Sequence, residues 1–160
     1  MIRAVTLDDA ADLAAIYNHY VENTVITFEE TPVTVADMRG RIERTTADYP
    51  WFVADIVGAV TGYAYAARWH ARCAYRDAVE TSVYVDAGHV GRGVGKVLYE
   101  HLIEELRKRE FHCAIGAVAL PNAASVALHE SLGFERVGRF KEVGFKFGRR
   151  IDVGYWQLML

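Results

Sequence analysis

Between residues 81 and 106 the chain reads TSVYVDAGHVGRGVGKVLYEHLIEEL, a run that leaves few choices of fold. It enters from Val79–Val85, a β-branched and aromatic stretch that reads as a strand. It leaves through Val94, Val97, Leu98, Leu102 and Leu106, spaced by threes and fours like the apolar stripe of a long helix. The join carries Gly91, Gly93 and Gly95 in alternation. Glycines at such a join let backbone N–H groups approach an anion, and the helix N-terminus adds a partial positive charge. A pyrophosphate suits that environment, with Arg92 and Lys96 supplying charge from the rim. The turn is not a G-x-x-x-x-G-K-[ST] phosphate loop, because Val97 follows Gly95-Lys96 and the first glycine is misplaced. Nor is it the dinucleotide fingerprint G-x-G-x-x-G: the spacing is G-x-G-x-G and several strands precede it. A glycine turn that only connects strand to helix is the other reading of these residues taken by themselves.

The rest of the chain supplies elements with short connections. Ile2–Thr6 reads as a strand, followed by a helix capped by Asp8 or Asp9, with an apolar face of Leu13, Ile16, Tyr17 and Tyr20. A second helix over 34–47 starts behind the cap candidate Thr34. Trp51–Val57 and Ala59–Ala67 flank Gly58 as a hairpin. Beyond the long helix come a strand at Cys113–Ala119, a helix at Asn122–Leu132 closed by Gly133, and strands near 134–140 and 150–158. The order β-α-α-β-β-β-α-β-α-β-β describes a mixed α/β (α+β) protein. With 160 residues and no repeat, linker or low-complexity tract, residues 1–160 are expected to form a single domain.

Charge and composition narrow the partners. A net charge of -3 lacks the basic surplus of a nucleic-acid binder. No stretch reaches the roughly 18 consecutive apolar residues of a membrane span, and the N-terminus carries no secretory pattern. Cys73 and Cys113 have neither C-x-x-C spacing nor a histidine at zinc-finger distance, which points to a reducing compartment without a structural metal. His70, His89, His101 and His112 show no metal spacing, and His19 falls within a helix; none is assigned a role. The expectation is a cytoplasmic protein.

The glycine turn also resembles motif A of the Gcn5-related N-acetyltransferases, [QR]-x-x-G-x-[GA] between a strand and a helix, and LPNAASVALHESLGFERVG resembles their motif B. Within that superfamily the segments IYNHYVENT, YPWFVAD, W-x-A-R-x-A-Y, VETSVYV, LPNAASVALHESLGF and GFKFGRRIDVGYWQL are similar to phosphinothricin and methionine sulfoximine/methionine sulfone N-acetyltransferases, over Ile2 to Leu158. One departure is Val90 in the [QR] slot of motif A; the other ligands there are backbone N–H groups, which any residue supplies.

The resemblance implies a mixed central sheet with splayed strands flanked by helices, and acetyl transfer from acetyl-CoA, as co-substrate and without a metal, to a small amino-acid-like amine. It implies that the strands at 79–85 and 113–119 part to admit the pantetheine arm along Val83, Tyr84 and Val85. Val90, Gly91, Arg92, Gly93, Val94, Gly95 and Lys96 would hold the pyrophosphate, with Asn122 and Ser125 beside it. Asn122 reads equally as a helix N-cap, and the two roles are compatible. Glu80 is implied as the general base that takes the amine proton. In the bare sequence it is also a strand-edge carboxylate. His129 occupies the motif B position where many relatives have a tyrosine; it either protonates the departing thiolate or only orders the site. Arg72, Tyr75 and Arg76 are implied acceptor ligands, since arginine's fork suits carboxylate and phosphinate oxygens; Thr81, Ser82, Phe28 and Glu29 complete that pocket. Lys141–Arg150 resembles a loop that these enzymes place near a twofold homodimer interface. The alternatives are an acetyltransferase of protein N-termini or lysines, for which an open and often acidic groove is expected, and a non-catalytic acyl-CoA-binding sensor.

Overall fold

A computed structural model describes residues 1–160. The strands are β1 (Ile2–Ala4), β2 (Trp51–Ile56), β3 (Ala59–Arg68), β4 (Ala78–Val85), β5 (Cys113–Leu120), β6 (Glu135–Lys146) and β7 (Arg149–Met159). The helices are α1 (Ala10–Asn23), α2 (Val35–Thr46), α3 (Val94–Lys108) and α4 (Ala123–Ser131). All seven strands join one sheet in the order β1-β2-β3-β4-β5-β7-β6. Every neighbouring pair is antiparallel except β4 and β5.

The two faces of the sheet bury different helices, because strand side chains alternate. On one face Ala54, Ala64, Ala66, Val79, Ala114, Val118 and Trp156 pack against Leu98, Tyr99, Leu102, Ile103 and Leu106 of α3. On the other, Trp51, Val53 and Tyr63 pack against Leu13, Ile16, Tyr17 and Val21 of α1 and Met38 and Ile42 of α2. Each fully buried leucine contributes about 1.5–3 kcal/mol of transfer free energy.

Several boundaries differ from the sequence expectation, each for a local reason. The first strand stops at Ala4, and the cap belongs to Thr6: a single 3-10 turn, Leu7–Asp9, leads into α1. The Asp9 carboxylate accepts from the Thr6 N–H at 2.7 Å and from the Arg3 guanidinium at 2.7 Å, so it is the third residue of a capping pair and not the cap itself. In α3 the buried stripe includes Tyr99 and Ile103, while Val97 is 52% exposed. Thr34 does cap α2, accepting from Asp37 N at 3.0 Å. The expected loop Lys141–Arg150 is mostly strand. β6 runs to Lys146 with irregularities between Arg136 and Gly138 and between Phe140 and Gly144, so its alternation is broken and its length was hidden.

Candidate active site

The feature that makes a site is a fork. β4 and β5 pair only through Ala78, Val79 and Glu80 against Cys113, Ala114 and Ile115. Beyond Glu80, β4 runs on to Val85 and β5 to Leu120 without a partner between them. Parallel strands that part leave backbone donors and acceptors unpaired, and such groups demand a substitute partner. A peptide-like ligand laid between the strands provides one.

A cleft of about 380 Å³ opens from this fork toward the glycine turn. Its walls are Val83, Val85, Val90, Gly91, Gly93, Val94, Gly95, Lys96, Asn122 and Ser125, together with Tyr20, Ile26, His89, Ala124 and Leu128. Gly91 and Gly93 adopt φ of 79° and 83°, the left-handed region, and a Cβ added at either meets no atom within 4 Å. Their open side is therefore available to a ligand, and the turn leads into the free N–H groups of α3. Asn122 accepts from Ser125 N at 3.1 Å and so caps α4, whose N-terminus also faces the cleft. This cradle of glycine, helix N-termini and Lys96 fits a pyrophosphate.

Two residues assigned to the cleft sit differently. Tyr84 turns its ring to the other face, edge-on to Tyr17 and Tyr20 at 5.2 and 5.3 Å, because it alternates with Val83 and Val85. Arg92 is exposed beside the turn and does not line it. The carbonyl of Val85 accepts from the Tyr20 hydroxyl, so it is already satisfied from α1. Tyr20 and Ile26 were not assigned to the site from sequence; Tyr20 reads there only as helix face.

On the α1/α2 face, Glu80 stands at the fork between Ala67 and Ile115 in neighbouring strands. It is half-buried and forms no ion pair or hydrogen bond, and burial alone holds its carboxyl above the usual carboxylate range. Ser82 follows on the same face, opposite Tyr65. Thr81 does not: it points to α3 and is buried, with its hydroxyl 2.6 Å from that of Tyr99. Strand alternation thus removes Thr81 from the acceptor side. Tyr155 of β7, on this face with Ala117, was missed from sequence; it makes edge contacts with Trp69 at 5.9 Å and Phe140 at 5.4 Å.

The arginine loop 69–77 is a mostly exposed lobe around a 3-10 turn, Cys73–Tyr75. Arg72 is exposed and pairs with no carboxylate. Arg76 turns back on its own loop, donating to the Cys73 carbonyl at 3.3 Å, and Tyr75 packs on His70 at 5.0 Å. Glu29 is taken up by Arg41 at 2.9 Å, while the Phe28 ring lies against Gly144 of β6. The buried Lys146 anchors the same connection by donating to the Thr27 carbonyl at 2.9 Å.

His129 does not offer an acid to the cleft. It is buried to 4% exposure, and burial pushes its pKa below the ordinary imidazole value. Its Nδ1 lies 2.8 Å from the Ser125 carbonyl and its Nε2 3.1 Å from the Tyr99 hydroxyl. A carbonyl only accepts, so the proton sits on Nδ1 and is directed into α4.

Comparison with known proteins agrees with this geometry. Residues 2–154 match the family model "Acetyltransferase (GNAT) domain". The chain is 40% identical to a phosphinothricin N-acetyltransferase of Streptomyces viridochromogenes, over 98% of its length and 85% of the relative's. It is 40% identical to an L-methionine sulfoximine/L-methionine sulfone acetyltransferase of Pseudomonas paraeruginosa, over 99% and 94%. Among solved structures, a ribosomal-protein-alanine N-acetyltransferase from Brucella melitensis superposes with a TM-score of 0.98 at 41% identity, covering 100% of this chain and 99% of that one. A phosphinothricin acetyltransferase from Sinorhizobium meliloti in complex with acetyl-CoA gives 0.97 at 39% identity, covering 100% and 88%.

Proposed function

Because the chain belongs to the GNAT acetyltransferase family, we infer that it is an enzyme that moves acetyl from acetyl-CoA to the amine of a small amino-acid-like acceptor, of the phosphinothricin, methionine sulfoximine or methionine sulfone type. The observation that carries the reading is the fork itself: an unpaired, half-buried Glu80 stands where β4 and β5 part, and farther along β4, from Val83, runs a cleft lined by a glycine turn and two helix N-termini. Bound acetyl-CoA supplies the acetyl group as a thioester, held by the turn Val90–Lys96, the capped end of α4 and the free edge at Val83 and Val85. Glu80 takes a proton from the acceptor's ammonium, directly or through water, so that the nitrogen lone pair attacks the thioester carbonyl; the C–S bond then breaks, coenzyme A leaves as its thiolate, and the second proton lost from the nitrogen ends on that sulfur. The carboxyl's raised pKa makes it a better base than an exposed glutamate. Backbone N–H groups of β4 near Val83–Val85 stand where they can stabilise the oxyanion. Arg72, exposed on the 69–77 lobe and in no ion pair, offers its guanidinium to the acceptor's anionic group.

The protein works as a single domain of the cytoplasm, without nucleic acid or membrane as partner, and no helix is long and apolar enough to cross a membrane. It acts as a homodimer through β6, whose Val137, Phe140, Val143 and Phe145 stand exposed on an edge strand. A second reading, acetylation of a protein N-terminus, is favoured by the fold match to the ribosomal-protein-alanine enzyme. The test is thiol release from acetyl-CoA with phosphinothricin, methionine sulfoximine, methionine sulfone, the standard amino acids and peptides as acceptors. Turnover confined to the sulfoximine, sulfone or phosphinate compounds is expected. Turnover with peptides alone would replace the reading by the second one, and binding of coenzyme A without turnover would leave only a sensor.

A further inference from the structure

Four polar groups form a closed chain behind the fork, and the proposed acetyl transfer does not use them. Tyr99 of α3 is fully buried, with its hydroxyl 2.6 Å from Thr81 Oγ1 and 3.1 Å from His129 Nε2. His129 Nδ1 lies 2.8 Å from the Ser125 carbonyl. The direction of every proton follows from the last link. The Ser125 carbonyl accepts, so Nδ1 carries the hydrogen and Nε2 a lone pair; Tyr99 therefore donates to Nε2, and Thr81 donates to Tyr99. The Thr81 hydroxyl also lies 3.4 Å from the Ile115 carbonyl, the longer arm of a shared contact. Thr81 and Ile115 mark the position where β4 and β5 stop pairing. The imidazole lies directly over β5 at Gly116, where an added Cβ would meet Nε2 at 2.3 Å, so no other residue admits the ring.

We propose that Tyr99 is a positioning residue for the inner end of the cleft: its hydroxyl, held by Thr81, keeps His129 seated on β5 and fixes the width of the fork. The inference rests on the reading of the cleft as the acetyl-CoA site. It joins four elements, since Thr81 belongs to β4, Tyr99 to α3, His129 and Ser125 to α4, and Gly116 to β5. One hydroxyl thus ties together the parts that border the place where the thioester must lie. Ser125, at the far end of the chain, lines the cleft itself. Burial keeps the chain neutral, raising the pKa of Tyr99 and lowering that of His129. A neutral, fully assigned chain holds geometry and does not move charge.

Tyr99→Phe removes the hydroxyl and keeps the ring. It should lower kcat by about tenfold, as misplaced reacting atoms do, while KM for acetyl-CoA and for the acceptor stay within about twofold. The glycine turn still holds the cofactor, and nothing on the acceptor side is touched. Adding Thr81→Val to Tyr99→Phe should cost little more than either alone, because both break one chain. Nitrogen NMR of the wild-type imidazole should show the proton on Nδ1. A wild-type kcat in folded Tyr99→Phe, additive losses in the double variant, or a proton on Nε2 would each overturn the proposal. If Tyr99→Phe does not fold, Thr81→Val alone is read by the same kinetics. Absence of turnover by the wild type with any amine would instead overturn the acetyl-transfer reading, and the NMR result would then stand as the test of the chain.

Discussion

On the proposed cofactor side of the fork the contacts would come from the backbone: the left-handed turn at Gly91 and Gly93, the N–H groups opening α3, and α4 behind the Asn122 cap. On the proposed acceptor side they would come from side chains: Glu80 and Ser82 on β4, and Arg72 on an exposed lobe. A backbone site depends on conformation, so it tolerates changes of side chain and fails when a Cβ or a dihedral is wrong. A side-chain site behaves oppositely. Substitutions that preserve the fold but change chemistry should therefore act strongly on one side and weakly on the other.

The largest effect expected is at Glu80. Glu80→Gln should reduce kcat by about 10²–10⁴-fold, the usual worth of a general base, with little change in KM for acetyl-CoA. The loss should shrink as pH rises and the amine deprotonates unaided. For the wild type, activity should rise with pH through the raised pKa of Glu80, so the acid limb lies above the ordinary glutamate value of 4.5. Steady-state profiles of both proteins check this, and a variant with near wild-type turnover at neutral pH removes Glu80 from the mechanism.

Next comes Arg72. Losing a charge-assisted contact to an acceptor anion costs about 1.5–3 kcal/mol, so Arg72→Ala should raise KM for anionic acceptors by about ten- to a hundredfold. Arg72→Lys should recover only part, since an ammonium cannot present the fork. A rise in KM for acetyl-CoA with the acceptor unaffected would assign the arginine to the other side and break the division.

The cofactor side yields a contrast between neighbours. Gly93→Val forces a β-branched residue into φ of 83° and fills the open face of the turn. Left-handed backbone costs such a residue about 1–2 kcal/mol before any clash with the ligand, so affinity for coenzyme A should fall at least about tenfold. Arg92→Ala, one residue away but outside the cleft, should change it by less than about threefold, within the worth of one exposed charge. Calorimetry on the folded variants decides, and equal losses would mean that charge, not backbone, grips the pyrophosphate.

This division also explains what could be read without coordinates. The glycine turn, the strand before it and the helix after it leave marks in composition and period, so that wall of the cleft was legible, while Tyr20, Ile26, His89, Ala124 and Leu128 were not. The α/β order was legible for the same reason. What escaped depends on which way a side chain points. Thr81 and Ser82 are adjacent and look interchangeable, yet alternation sends one to Tyr99 and the other toward Tyr65. Arg72 and Arg76 share a loop, and only the structure shows Arg76 folded back on Cys73. The length of β6 was masked by its bulges, and Tyr20 and Tyr155 reach the site only through tertiary packing.

The smallest expected effect is read in stability instead of rate. Glu80 has no partner, and its folded pKa is raised by burial. Between the unfolded and the folded pKa, the native state holds more protons than the unfolded one, so stability falls as pH rises through that window. Above the folded pKa the full cost of the buried charge persists, and below the unfolded value it vanishes. Glu80→Gln should therefore raise the melting temperature at pH 7, with the gain disappearing as pH drops below about 4, where both states carry a neutral carboxyl. Asp9 works in the other sense. The Arg3 guanidinium holds its carboxyl below the usual range, so its contribution is present above the unfolded value and fades as pH falls through the folded one. Asp9→Asn should thus lower the melting temperature at pH 7, and the deficit should shrink in acid. Thermal melts of both variants across pH make the comparison within one fold. If Glu80→Gln were destabilising at neutral pH, Glu80 would have a partner in solution that the fork does not display, and its standing as an uncommitted base would be lost.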